Sequence, residues 1–152
     1  MSEPFYVARA GVRKVDSGHR QARLESGPTV DFGVHGPVKS HYRLTCADHP
    51  LPIDYVVAAT GGCMLGTLNG GLEARGVHLA PDQISASVEG FNELKDGNIL
   101  LTRIHVHYQL QIPAGSRETV ERLLGKHQEK CPTAQSLKGA IAVSWTADIT
   151  ES

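Results

Sequence analysis

Four things are missing from this chain of 152 residues, and each absence narrows what it can be. No window reaches the roughly 18 uninterrupted apolar residues that a membrane-spanning helix needs, so no membrane span is expected. Neither charge is in excess: 15 basic residues nearly balance 16 acidic ones, giving a net charge of -1 and a pI near 6.7. Binders of nucleic acid or of anionic membranes normally carry a basic surplus on one face, so neither partner is expected. The first residues, MSEPFYVARAGVRK, lack the basic stretch and apolar run of a secretory signal, and the expected location is the cytoplasm. Finally, three cysteines cannot make a fully paired framework. Cytoplasmic disulfides are usually transient, catalytic or redox-sensing, so a functional cysteine here is expected to be a reactive thiol.

What is present suits one soluble domain, residues 1–152, with 40% hydrophobic residues to build a core. From Phe5 to Leu44 the chain is broken by Gly11, Gly18, Gly27, Gly33 and Gly36, a spacing that predicts a small antiparallel meander. Cys46 to Pro52 reads as a loop. From Ile53 to Arg75 the residues are mostly apolar or small and end at Gly76, which predicts a buried helix with Pro52 in its first turn and Asp54 complementing its dipole. Five glycines inside that helix (Gly61, Gly62, Gly66, Gly70 and Gly71) each cost about 1 kcal/mol against alanine. Close approach of another backbone, as in a helix–helix crossing, is the simplest compensation.

Two alternating stretches follow, DQISASVEGFNEL and NILLTRIHVHYQLQI, joined at Asp96-Gly97, a strong hairpin signal. Ile104, Val106 and Tyr108 share one face of the second strand; Arg103, His105, His107 and Gln109 share the other. The run SRETVERLLGKHQEK predicts an amphipathic helix capped by Ser116, with Val120, Leu123 and Leu124 inward. Cys131-Pro132 opens a short helical turn ending at Lys138-Gly139. AIAVSWTADIT is the last strand, with Trp145 in the core. The fold class is α+β: an antiparallel β-sheet, a long buried central helix and a second helix.

Two cysteines invite chemistry. Cys131 precedes a proline at a helix start, where unpaired N–H groups and the positive end of the dipole favour a thiolate; the alternative is a small buried hydrophobe. Cys63 lies inside the apolar helix and reads locally as core. To react, it needs a cation or hydrogen-bond donors that its own segment does not supply.

The stretch P-I-D-Y-V-V-A-A-T-G-G-C resembles the first signature of the OsmC/Ohr family, a proline followed eleven positions later by a cysteine, here Pro52 and Cys63. H-Q-E-K-C-P-T-A-Q-S-L-K-G-A-I-A-V resembles the second, where a Cys-Pro opens a short turn before the closing strand. The resemblance runs from about Pro52 to the end of the chain. It implies an OsmC-like fold in an intertwined homodimer and a thiol-dependent peroxidase that reduces organic hydroperoxides. Cys63 would be the attacking thiolate and Cys131 the resolving thiol, forming a Cys63–Cys131 disulfide. An external dithiol, a lipoyl protein or a thioredoxin-like one, would reduce that disulfide, with no cofactor and no metal. The organic-hydroperoxide branch has a glutamate after the proline that helps hold an arginine over the thiolate. Here that position is Ile53, with Asp54 next to it. Arg13 and Arg20 are the candidate cations, ahead of Arg23 and Arg43. The alternative is the same fold used for redox sensing or small-ligand binding with little or no peroxidase activity.

Other groupings carry weaker signals. Cys46, Asp48 and His49 crowd one loop without a zinc-like spacing. His105 and His107, two apart on a strand, are suited either to holding a metal together or to forming a polar strip.

Overall fold

Glycines and turns divide the first part of the chain into short strands, as their spacing predicts. β1 (Ala10–Asp16), β2 (His19–Leu24) and β3 (Thr29–Phe32) form an antiparallel sheet in chain order. The β1–β2 turn is closed by Asp16, whose Oδ1 accepts the Gly18 N–H at 3.0 Å. Gly18 has a second reason to be glycine: a Cβ there would fall inside the Cys46 side chain. After β3 comes a six-residue helix, α1 (Gly36–His41), absent from the sequence reading. The loop that follows is tied back to β3, with Gly33 N–H donating to Pro50 O at 2.8 Å and His49 N–H to Val34 O at 3.1 Å.

The computed structural model describes residues 1–152, which fall into two compact units, Met1–Tyr55 and Val56–Ser152. Helix α2 (Pro52–Glu73) contributes its first turn to the first unit and the remainder to the second. It is long, as expected, but it is buried along one stripe only: Thr60, Gly61, Met64, Leu68 and Leu72. Val56, Ala59, Gly62, Gly66 and Gly70 are exposed. Its glycines also differ from the expected helix–helix crossing. A Cβ on Gly61 would overlap Val88 on a neighbouring strand, and one on Gly71 would meet Leu123 at 3.2 Å. Nothing lies within 4 Å of a Cβ on Gly62, Gly66 or Gly70.

The second unit continues with β4 (Ile84–Lys95) and β5 (Asn98–Ile112), an antiparallel hairpin. Its turn residues Asp96 and Gly97 have φ of 50° and 78°, the left-handed pair that a two-residue hairpin turn requires. Then come α3 (Arg117–Lys130), α4 (Pro132–Leu137) and β6 (Ala142–Glu151). β6 pairs with β5 in parallel, so the sheet order is β4-β5-β6 and the sheet is mixed rather than wholly antiparallel. The cause is the intervening helical segment. A chain that leaves one end of β5 and travels back through α3 and α4 starts its next strand from the opposite end. Ser116 stands before α3 without capping it; its hydroxyl donates to Pro113 O at 2.6 Å instead.

Ile104, Val106 and Tyr108 on the central strand β5 are wholly buried, as the alternation predicts. With Met64, Leu68 and Leu72 from α2 and Val120 and Leu124 from α3 they form one apolar cluster that also takes in Cys131 and Ala134. Each such aliphatic side chain contributes about 1.5–3 kcal/mol by leaving water.

Candidate functional site

Cys63 is carried by α2, three turns in from Pro52, and is half-buried. Cys131 is carried by the tight junction between α3 and α4 and is fully buried. Both are free thiols, and they lie close enough to perturb each other's ionisation. Two cysteines 68 positions apart in sequence are thus brought into contact by the packing of α2 against the α3–α4 junction.

The two thiols are not equivalent. Burial works against the charged form of Cys63, but the Thr133 hydroxyl, the Cys131 thiol and the Thr133 backbone N–H all donate toward its sulfur, and its pKa falls below that of an ordinary thiol. Thr67, one turn along α2, is within reach as well, with its hydroxyl 2.9 Å from the Cys63 carbonyl oxygen. Cys131 goes the other way. Burial pushes its pKa up, and the negative neighbour Cys63 adds to the rise, although the Ala134 N–H donates to its Sγ at 3.5 Å.

The outcome reverses the local reading of the two residues. The N-terminus of α4 does supply free N–H groups to a sulfur, as the Cys131-Pro132 sequence suggested. α4 has only six residues, and Cys131 is fully buried, so desolvation outweighs the helix-end effect there. The thiol that gains is Cys63, on another helix, because Thr133 points at it.

Beside the thiols lies a buried pair that sequence reasoning did not assign to the site. The Tyr108 hydroxyl and His127 Nε2 are 2.9 Å apart, and His127 Nδ1 is 2.7 Å from Leu124 O. A carbonyl can only accept, so Nδ1 carries the proton and Nε2 accepts from the Tyr108 hydroxyl. Burial favours the neutral form of His127 by lowering its pKa, while Tyr108 is raised by burial first and then by the neighbouring cysteines. Trp145, partly buried, meets the His127 ring edge-on at 5.5 Å. Position 127 had a readable signal: with Val120 and Leu124 it continues the apolar stripe of α3, where a histidine must find buried partners. A cavity of about 210 Å³ opens nearby, with Leu68 and Leu123 on its walls together with Thr67, His127, Arg75 and Lys130.

The supporting residues expected from sequence lie in the first unit. Asp54 Oδ2 accepts from His35 Nε2 at 2.6 Å and from the Leu51 N–H at 2.8 Å, so its carboxylate is occupied at the start of α2. Arg13 projects from the exposed strand β1 and donates to Gln21 Oε1 at 2.6 Å. Arg20, on β2, stands in register with Lys14 and Phe32. The loop grouping is dispersed among other partners: Asp48 pairs with Lys39 at 2.7 Å, His49 stacks on His19 at 3.9 Å, and Cys46 packs on Gly18.

An α+β chain with two cysteines meeting between a long helix and a Cys-Pro turn defines a class of small dithiol proteins. The chain belongs to the OsmC-like protein family, whose model matches residues 45–146. No curated protein sequence gives a significant match. The fold is that of an OsmC-like protein from Mycoplasma pneumoniae, at 13% identity over 97% of this chain and 99% of that one, with a TM-score of 0.76. It is similar to an organic hydroperoxide resistance protein from Elizabethkingia anophelis (17% identity, 98% and 100% covered, TM-score 0.71). It is similar, too, to the organic hydroperoxide resistance protein OhrB of Bacillus subtilis (19% identity, 95% and 100% covered, TM-score 0.60). No helix is long and apolar enough to cross a membrane.

Proposed function

We propose that this protein is a two-cysteine peroxidase for organic hydroperoxides, working as a homodimer in the cytoplasm. The observation that carries the reading is that two cysteines far apart in sequence lie side by side with opposite shifts, the Cys63 pKa lowered and the Cys131 pKa raised. The Cys63 thiolate attacks the distal peroxide oxygen, the O–O bond breaks, and the alkoxide takes a proton to leave as an alcohol. Cys63 becomes a sulfenic acid. The Cys131 sulfur then attacks Cys63, its proton joining the departing hydroxide as water, and a Cys63–Cys131 disulfide results. Exchange with an external dithiol, on a lipoyl or thioredoxin-like protein, restores both thiols. The leucine-walled cavity beside Thr67 suits an organic substituent better than hydrogen peroxide. The exposed small-residue face of α2 is the surface offered to a second copy.

A second reading keeps the dithiol and drops the fast turnover: a redox sensor or small-ligand binder. Ile53 at the position of the family's glutamate favours it, as does the occupation of Asp54 by His35. Turnover of cumene hydroperoxide with dihydrolipoamide separates the two. The peroxidase reading expects rapid turnover that Cys63→Ser abolishes, with Cys131→Ser leaving a trappable sulfenic acid. Turnover no faster than the uncatalysed reaction, with both thiols reduced, overturns it in favour of the sensor.

A further inference from the structure

The outer face of the second sheet carries a histidine pair that the proposed chemistry does not use. His105 and His107 project from β5 on the side opposite Ile104, Val106 and Tyr108, and in register with Ser144 and Thr146 on β6. His107 Nε2 is 3.0 Å from Asp148 Oδ2 and its Nδ1 is 2.7 Å from Thr146 Oγ1. His105 Nε2 is 2.9 Å from that same Thr146 oxygen and its Nδ1 is 2.8 Å from Ser144 Oγ.

The directions follow from the end groups. A carboxylate only accepts, so His107 donates from Nε2 and keeps a lone pair on Nδ1. Thr146 gives its single proton to that nitrogen and accepts from His105 Nε2, and Ser144 donates to His105 Nδ1. The far nitrogen of each ring is therefore held by an oxygen, while the two near nitrogens converge on one atom, Thr146 Oγ1.

We propose that His105 and His107 form a chelating site for one divalent transition ion of the kind that prefers imidazole, such as Ni²⁺ or Zn²⁺. The arrangement has the parts such a site needs. Asp148 fixes the His107 ring and its tautomer, the carboxylate–histidine support found behind metal-bound imidazoles. His105 becomes a ligand by moving its proton from Nε2 to Nδ1, where Ser144 Oγ then accepts it. An ion held at about 2.0–2.1 Å from each near nitrogen takes the place of the two hydrogen bonds that those nitrogens make with Thr146 Oγ1. On β4 the residue in register with His105 is Glu89, a second carboxylate in that neighbourhood. Nowhere do three His, Cys, Asp or Glu side chains gather closely enough to hold an ion, so water and the Thr146 hydroxyl complete the coordination.

The test is titration of the full-length reduced protein with Ni²⁺ by calorimetry, beside His105→Ala, His107→Ala, the double variant and Asp148→Asn, each first checked for folding by circular dichroism. One ion per chain is expected, with each single alanine variant binding at least tenfold more weakly. Asp148→Asn should lose about tenfold, the usual effect of removing a group that supports a ligand. His105→Gln and His107→Gln take the place of the alanine variants if those fail to fold. Absence of saturable binding, or equal affinity in the double variant, overturns the proposal. The result does not depend on peroxidase turnover.

Discussion

At the scale of single residues, the two cysteines illustrate how far a local environment extends. Cys131 has the better local sequence for a thiolate, yet full burial raises its pKa. Cys63 sits in a run of alanine and glycine whose own helix offers it only Thr67, yet Thr133, seventy positions away, supplies a hydroxyl and an N–H. Removing the hydroxyl alone should expose this dependence. A hydrogen bond to a charged group is worth about 1.5–3 kcal/mol, so Thr133→Val should slow iodoacetamide alkylation of Cys63 at pH 7 by about tenfold or more. In the wild-type protein Cys63 should be alkylated first, as followed by peptide mass spectrometry. Equal rates at the two cysteines would remove the asymmetry on which the proposed mechanism stands.

At the scale of elements, α2 is the informative one. Its apolar length and its terminal Pro52 made it legible from sequence, and its start and finish agree closely with that reading. The purpose of its glycines was not legible, because that depends on which element lies opposite. Gly61 accommodates Val88 of β4, so Gly61→Ala should overpack that contact and cost about 1–3 kcal/mol in urea unfolding. Gly66 faces no atom of its own chain within 4 Å, so Gly66→Ala in an isolated chain should gain about 1 kcal/mol of helix stability. A loss of stability at Gly66 would place a second copy against this face, as the proposed dimer does. The parallel placement of β6 was likewise hidden. Alternation identifies a strand and its inward face, but the direction in which it joins the sheet follows from the path of α3 and α4.

At the scale of the molecule, stability should depend on pH through His127. Its folded pKa lies below the ordinary value of 6.5, so below that value the unfolded chain binds a proton that the folded chain resists. Stability contributed by the neutral ring is complete above 6.5 and falls as the pH drops through it. Urea unfolding at pH 7.5 and 5.5 should show this fall in the wild type and a smaller one in His127→Gln. That variant should also lose about 1–3 kcal/mol at pH 7.5, because the Tyr108 hydroxyl and the Leu124 carbonyl need a buried partner. An unchanged pH dependence in His127→Gln would assign the effect to other groups.

Hydrophobic periodicity, the Asp96-Gly97 turn, the Pro52 helix start and the two cysteine-bearing signatures were enough to determine the strands, the long helix, the inward face of β5 and the pair of thiols worth attention. These are properties of short range, set by backbone geometry and by the alternation of apolar and polar side chains, and they survive without knowledge of the rest of the chain. The tertiary structure alone decided which thiol has its pKa lowered and which has it raised, that His127 and Tyr108 are buried beside them, and that Asp54 is already taken by His35. Desolvation and hydrogen bonding depend on atoms within a few ångströms in space, and at Cys63 the decisive donor comes from a segment that the sequence places far away.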